Sequence, residues 1–138
     1  MRDDIAEKVD AVAKLLCERQ EILFAYLYGS AVRSDSPNDL DIAVYVERIV
    51  FERLRSSANL SLGYEIPLEQ ACEETVGFAV DVRVVNAAPL PYRYRVVTDG
   101  KLLFDRCPSE REQFELLSRV EYFDFRPRRE EYLREALR

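Results

Sequence analysis

The strongest constraint on the fold comes from two short apolar runs that are joined by a polar segment. The first run, residues 22–28, is predicted to be a buried strand that ends at Gly29. The second run, residues 39–46, alternates and is predicted to be a strand whose solvent-facing side carries Asp39 and Asp41, since residues two apart share a face. Its core face is expected to carry Leu40, Ile42, Val44 and Val46.

The residue types around this connection favour nucleotide chemistry. Gly29 lacks a Cβ, so a phosphate can approach the backbone, and Ser30 adds a hydroxyl donor where a short helix is expected to open. Arg33 lies one helical turn later and can bind the same triphosphate through its forked guanidinium. Asp39 and Asp41 suit one or two Mg²⁺ ions, which prefer oxygen ligands and nucleotide phosphates. These residues predict a site that binds a nucleoside triphosphate and transfers a nucleotidyl group.

The composition narrows the chemistry further. The 138 residues include no histidine, which excludes Ser-His-Asp triads, Cys-His dyads, histidine-ligated metals and imidazole bases. The three cysteines are far apart and show no C-x-x-C spacing, so they are expected to be free, buried thiols. They are Cys17, Cys72 and Cys107. Catalysis must therefore use carboxylates, hydroxyls, basic side chains and hard metal ions.

Charge and hydropathy limit the partners and the location. The formal net charge of −6 argues against a broad nucleic-acid surface, so we expect no direct nucleic-acid binding. No apolar run approaches the roughly 20 residues that a membrane-spanning helix needs. The acidic N-terminus does not resemble a signal peptide. We therefore expect a cytoplasmic protein with one domain, residues 1–138, and no membrane partner.

The remaining pattern predicts an α/β or α+β fold. Predicted strands cover residues 22–28, 39–46, 78–85 and 101–104. Predicted helices cover residues 3–19, 30–33, 48–62, 67–74, 90–99 and a long segment from 109 to the C-terminus. Gly63 and Gly100 are expected to end helices, Pro67 to lie in a first helical turn, and Pro127 to kink or break the last helix.

A third carboxylate stands out within the strand predicted at 78–85. Asp81 is the acidic residue that interrupts this apolar pattern. It can complete a metal site or accept the proton of an attacking hydroxyl. It can also form an ordinary ion pair with Arg83, just as Asp39 and Asp41 can belong to a solvated turn. Both interpretations of these residues stay open at the level of sequence.

The last helix carries two groups of residues with different expected roles. Leu116, Val120 and Phe123 share one helical face and are predicted to lie in the core. A second group is rich in aromatic and arginine side chains, which are enriched at interfaces. It comprises Tyr122, Phe125, Arg126, Arg128 and Arg129. Because glutamates are interspersed among them, a partner surface and a solvated helix are both open interpretations.

At these residues the chain resembles the nucleotidyltransferase superfamily of DNA polymerase β type, whose signature is Gly-Ser, a short loop, Asp-x-Asp and a distant third Asp. More specifically, it resembles the minimal nucleotidyltransferases that act as antitoxins beside HEPN-domain toxins. The resemblance spans nearly the whole chain, through residues 28–30, 39–44, 80–86, 88–89, 96–104 and 122–125. The loop 31–38 is shorter than the family's usual loop, and Ser34 stands where a glycine is frequent.

The resemblance implies a nucleotidyltransferase fold, with a small mixed β-sheet flanked by helices and a long C-terminal helix. It also implies transfer of AMP from Mg-ATP to a tyrosine of a cognate HEPN ribonuclease toxin, in a hetero-oligomer, which neutralises the toxin. The implied site residues are Gly29, Ser30 and Arg33 for the triphosphate, and Asp39, Asp41 and Asp81 for catalysis and Mg²⁺. Two alternatives are an aminoglycoside-type small-molecule nucleotidyltransferase and a non-catalytic antitoxin that acts by binding.

Overall fold

A computed structural model describes residues 1–136, in which four strands form a single mixed sheet. The strands are β1 (Ile22–Tyr28), β2 (Leu40–Val46), β3 (Val80–Val84) and β4 (Lys101–Asp105). Their order is β3-β2-β1-β4; β2 and β3 are parallel, and the other neighbours are antiparallel. The predicted strands and the mixed α/β class are confirmed.

Helices cover both faces of the sheet. They are α1 (Asp3–Cys17), α2 (Ser30–Arg33), α3 (Arg48–Leu54), α4 (Ala58–Val76), α5 (Leu90–Asp99) and α6 (Pro108–Ala136). The larger core joins α1, α3 and α4 to one face, and the smaller core joins α5 and α6 to the other. Within residues 1–136 no helix combines the length and the apolar character that a bilayer span requires.

The expectation that the second face of β2 is solvent-facing is wrong for most of the strand. Ala43 is fully buried, and the Tyr45 ring stacks on Phe24 with a centroid distance of 4.4 Å. Phe114 from α6 packs against both rings. The covering residues come from distant parts of the chain, so local alternation gives no sign of them. On this face Asp41 and Tyr45 remain partly exposed, and the Tyr45 ring is covered by Phe24 and Phe114.

The predicted break at Gly63 and Pro67 is also wrong. Helix α4 runs through both residues, and the interruption lies earlier, where the Ser57 side chain accepts a hydrogen bond from the Asn59 backbone N–H at 3.2 Å. A proline inside a helix frees the carbonyl four residues earlier. Here that carbonyl belongs to Gly63, which is exposed, so water can satisfy it.

Two predictions for the last helix, a kink or break at Pro127 and an apolar face in the core, are wrong. Helix α6 continues through Pro127 without a break. Leu116, Val120 and Phe123 are not in the core, because their side chains are 60%, 50% and 56% exposed. The helix packs through its other side, where Phe114 lies against the sheet. Periodicity identified an apolar face correctly but gave no information about what covers it.

The three thiols are free, and Cys72 is buried as expected, whereas Cys17 is exposed and Cys107 is half-buried. Within residues 1–136 none of them forms a disulfide.

Three glutamates of α4 close the free edge of β3. Backbone N–H groups of β3 donate to these carboxylates: Val80 to Glu73, Val82 to Glu69 and Val84 to Glu65, at 3.3, 2.9 and 2.8 Å. The spacings match, since four helical residues rise about 6 Å and two strand residues about 6.6 Å. The glutamates take the place of a fifth strand and hold the segment that carries Asp81.

We expect Glu69→Ala to lower the free energy of unfolding by about 1–3 kcal/mol, because it leaves the partly buried Val82 N–H without its acceptor. Glu69→Gln keeps a carbonyl oxygen in the same place and is expected to retain most of that stability. Urea unfolding of both variants measures the difference. Equal destabilisation by alanine and glutamine would contradict this role for the hydrogen bond.

Candidate active site

Gly29 brings the Gly-Ser turn against the acidic strand. It lies between β1 and α2 with φ 76° and ψ −151°, a conformation that is essentially restricted to glycine. A Cβ built on it would lie 2.4 Å from Oδ2 of Asp41. The missing side chain therefore lets the Asp41 carboxylate approach the backbone at the turn. Ser30 follows as the first residue of α2 and is partly exposed.

The strand register brings the carboxylates together. Tyr28 pairs with Asp41 across β1 and β2, and Asp41 pairs with Asp81 across β2 and β3. Asp39 lies immediately before β2. Burial raises the pKa of Asp41, the negative charges of Asp39 and Asp81 raise it further, and the Arg83 guanidinium opposes the shift. The three predicted carboxylates thus lie at one end of the sheet.

Asp81 also makes the ion pair that the sequence left open. Arg83 Nε donates to Asp81 Oδ2 at 3.2 Å. In the part of the chain that the structure describes, no three acidic or cysteine side chains converge as a complete metal-binding group. Magnesium at nucleotide sites needs only one or two carboxylates, because phosphate oxygens and water supply its other ligands. The hard oxygen donors, and the cleft that Gly29 lines beside them, fit Mg²⁺ with its nucleotide.

Arg33 lies in a cleft of about 370 Å³ that opens beside the Gly-Ser turn. Gly29 lines this cleft from one side, and Tyr92 and Arg95 of α5 line it from the other. Sequence reasoning missed both α5 residues. The helix itself was predicted correctly, but the signal for its position comes from packing against β1, which a local pattern does not contain.

Tyr28 and Tyr92 form a polar aromatic pair beside the carboxylates. The Tyr92 hydroxyl donates to the Tyr28 hydroxyl at 2.7 Å, and the rings meet edge to face at 5.3 Å. Burial raises the pKa of Tyr28 to about 12, so this phenol is neutral near pH 7. The pair forms a wall, because both rings also line a second cleft, of about 480 Å³, that contains Asp81.

Comparison with solved structures shows that this fold also occurs in toxin–antitoxin complexes. A toxin–antitoxin MntA–HepT structure covers 96% of this chain and 99% of its own, with 20% identity and a TM-score of 0.69. A toxin–antitoxin structure with AMP-PNP covers 94% and 98%, with 21% identity and a TM-score of 0.71. The Shewanella oneidensis complex of a tri-AMPylated HEPN toxin with an MNT antitoxin covers 97% and 99%, with 20% identity and a TM-score of 0.70.

No curated protein sequence matches the chain. The family model described as "Polymerase beta, Nucleotidyltransferase" matches residues 10–109, which include the Gly-Ser turn and all three carboxylates. The predicted nucleotidyltransferase fold is confirmed by this match and by the shared architecture. The chain belongs to the polymerase β-type nucleotidyltransferase family.

Proposed function

We propose that this protein is an antitoxin that transfers AMP from Mg-ATP to a tyrosine of a cognate HEPN-domain toxin and thereby neutralises it. The observation that carries the proposal is the pairing of Asp41 with Asp81, with the Asp41 carboxylate packed against the Gly29 turn. Support also comes from the solved structures of this fold, one of which holds AMP-PNP and another a tri-AMPylated toxin.

Each predicted residue has a chemical task in this proposal. Gly29, Ser30 and Arg33 bind the triphosphate, while the Asp39 and Asp41 carboxylates hold Mg²⁺, with Asp81 as the third carboxylate. Bound Mg²⁺ would neutralise phosphate charge and stabilise the charge that develops on the leaving group.

The transfer itself is an in-line displacement. The tyrosine hydroxyl oxygen forms a bond to the α-phosphorus, the bond between that phosphorus and the bridging oxygen breaks, and pyrophosphate leaves. The phenolic proton, whose ordinary pKa is near 10, passes to the Asp81 carboxylate. Arg83 orients this carboxylate through its hydrogen bond at 3.2 Å.

Label transfer tests the proposal against its alternatives. The purified protein is incubated with α-labelled Mg-ATP, a candidate HEPN-domain toxin from the same genome, and a panel of aminoglycosides. We expect label on the HEPN protein and none on the small molecules. Label confined to an aminoglycoside would indicate the small-molecule enzyme. Neutralisation of the toxin without any label would indicate an antitoxin that acts only by binding.

An exposed apolar stripe on α6 provides a surface for the toxin. The stripe consists of Leu116, Val120 and Phe123, which lie on the side of α6 that faces away from the sheet. Contiguous exposed apolar surface of this kind marks interaction sites. The Tyr94 and Tyr122 rings stack at 3.9 Å and fix α6 on α5, the helix that lines the nucleotide site. A toxin bound to the stripe would be held in a fixed position relative to that site.

We expect the double substitution Val120→Glu, Phe123→Glu to weaken binding of the HEPN protein by about tenfold or more, since both charges enter the interface. AMP-PNP binding is expected to remain near wild type and Tm to fall only slightly, because both side chains are at least half exposed and Phe123 makes only an edge contact with the Tyr94 ring at 5.9 Å. Ile49→Glu is the matched control: Ile49 is 81% exposed, on α3. Calorimetric titration measures the two binding affinities of the double variant and of the control, and thermal unfolding measures Tm. Equal toxin affinity for the double variant and the control would exclude the stripe.

A further inference from the structure

Two clefts open on opposite sides of the Tyr28–Tyr92 wall. The first, of about 370 Å³, contains Gly29, Arg33 and Arg95. The second, of about 480 Å³, contains Glu65, Asp81 and Arg83. Tyr28 lines both clefts, and Asp41 and Asp81 are its consecutive partners across the next two strands. Groups bound in the two clefts would therefore lie on either side of Tyr28, close to the strand ends that carry the carboxylates.

The clefts carry opposite charge. In the first, Arg33 and Arg95 face a single carboxylate, that of Asp99. Neither guanidinium forms an ion pair within residues 1–136, so both are available to a ligand. In the second, two carboxylates face one guanidinium. Simple electrostatics directs a polyphosphate to the first cleft and repels it from the second.

The second cleft has the surface that a phenol requires. Val84 and Ala88 supply an apolar floor, and the Tyr28 and Tyr92 rings supply an aromatic side. Aromatic rings prefer such edge-to-face and offset contacts. Asp81 stands at the same cleft, within reach of a hydroxyl carried into it. A polyhydroxylated sugar would form few favourable contacts with these apolar side chains.

Glu65 gives the second cleft a fixed negative charge. Its Oε2 accepts the Val84 backbone N–H at 2.8 Å, which holds the carboxylate at the cleft wall. Because an acidic wall attracts basic groups, the favoured acceptor is a tyrosine with a basic residue close to it.

We propose that the Tyr28–Tyr92 wall divides the reaction centre into a nucleotide cleft, in which Arg95 binds the polyphosphate together with Arg33, and an acceptor cleft, in which Glu65 selects a tyrosine beside a basic side chain. The acceptor half rests on the proposed AMP transfer. The nucleotide half requires only that the protein bind a nucleotide.

Two variants that each remove one charge test the roles of the two clefts independently. Arg95→Gln is expected to raise the Kd for AMP-PNP and the KM for ATP about tenfold, with the KM for the HEPN protein within about twofold of wild type. Glu65→Gln keeps an oxygen for the Val84 N–H, so the fold is preserved. It is expected to leave the Kd for AMP-PNP within about twofold and to raise the KM for the HEPN protein about fivefold.

The outcomes distinguish this division from the proposed function. If the wild type transfers no label, the proposed function fails, yet AMP-PNP binding by the two variants still tests the nucleotide cleft. Equal AMP-PNP affinity in both variants, or weaker binding by Glu65→Gln, overturns the division. A KM for the HEPN protein that is unchanged by Glu65→Gln overturns the acceptor assignment, as does transfer to an aminoglycoside in place of protein.

Discussion

Asp41→Asn is expected to lower kcat/KM for AMP transfer on the order of 10³-fold while the protein stays folded. Asn preserves the shape of the side chain but removes its charge and one anionic oxygen. Asp41 is the carboxylate that lies against the Gly29 turn and pairs with Asp81 in the sheet, so it stands between the proposed triphosphate-binding turn and the proposed base. Steady-state label transfer to the HEPN protein measures the loss.

The same substitution is expected to leave Tm at least as high as that of the wild type in metal-free buffer. Burial and the charges of Asp39 and Asp81 raise the pKa of Asp41, which means that the fold disfavours its ionised form. A neutral amide relieves that penalty at neutral pH. Asp35→Asn is the control, because Asp35 lies in the loop that leads into β2 and its side chain is 78% exposed. Transfer by Asp41→Asn within tenfold of this control would contradict the role of Asp41.

Gly29→Ala is expected to damage both the fold and the reaction. A non-glycine residue at this φ and ψ costs about 1–3 kcal/mol. The new Cβ would stand 2.4 Å from Asp41 Oδ2, so the carboxylate must move. Displacement of a reacting group by about 1 Å costs roughly 10²-fold in rate. We therefore expect a lower free energy of unfolding together with about a hundredfold loss of AMP transfer.

Gly63→Ala is the matched control for this change. Gly63 lies within α4, and a Cβ there would meet nothing within 4 Å. Alanine at an exposed helical position is expected to stabilise the protein by about 0.5–1 kcal/mol and to leave transfer unchanged. Urea unfolding and label transfer on the two variants test both statements. If Gly29→Ala keeps wild-type transfer, the close approach of Asp41 to the turn is not needed for the reaction.

The elements that sequence predicted well are those whose signals are local. The run into Gly29 and the alternation after Asp39 define β1 and β2, and the structure pairs Tyr28 with Asp41. The juxtaposition of Gly29 with Asp41 follows from that hairpin-like pairing. Asp81 was found because it interrupts an apolar strand. The chemical roles of these residues stay predictions that the proposed experiments address.

The wrong predictions and the overlooked site residues share a different physical cause. Leu116, on α6, and Pro67, within α4, were misjudged because burial and helix continuity depend on surroundings that a periodic pattern does not specify. Arg95, Tyr92 and Glu65 were missed for a related reason. Each reaches the clefts from a helix that is distant in sequence, so only tertiary packing reveals it.

The most direct test of the proposed AMP transfer is the intact mass of the HEPN protein after incubation with this protein, ATP and Mg²⁺. We expect mass increases equal to one or more AMP groups, located on tyrosine by peptide fragmentation, and none when Asp41→Asn replaces the wild type. A HEPN protein that is neutralised at its unmodified mass would contradict the account.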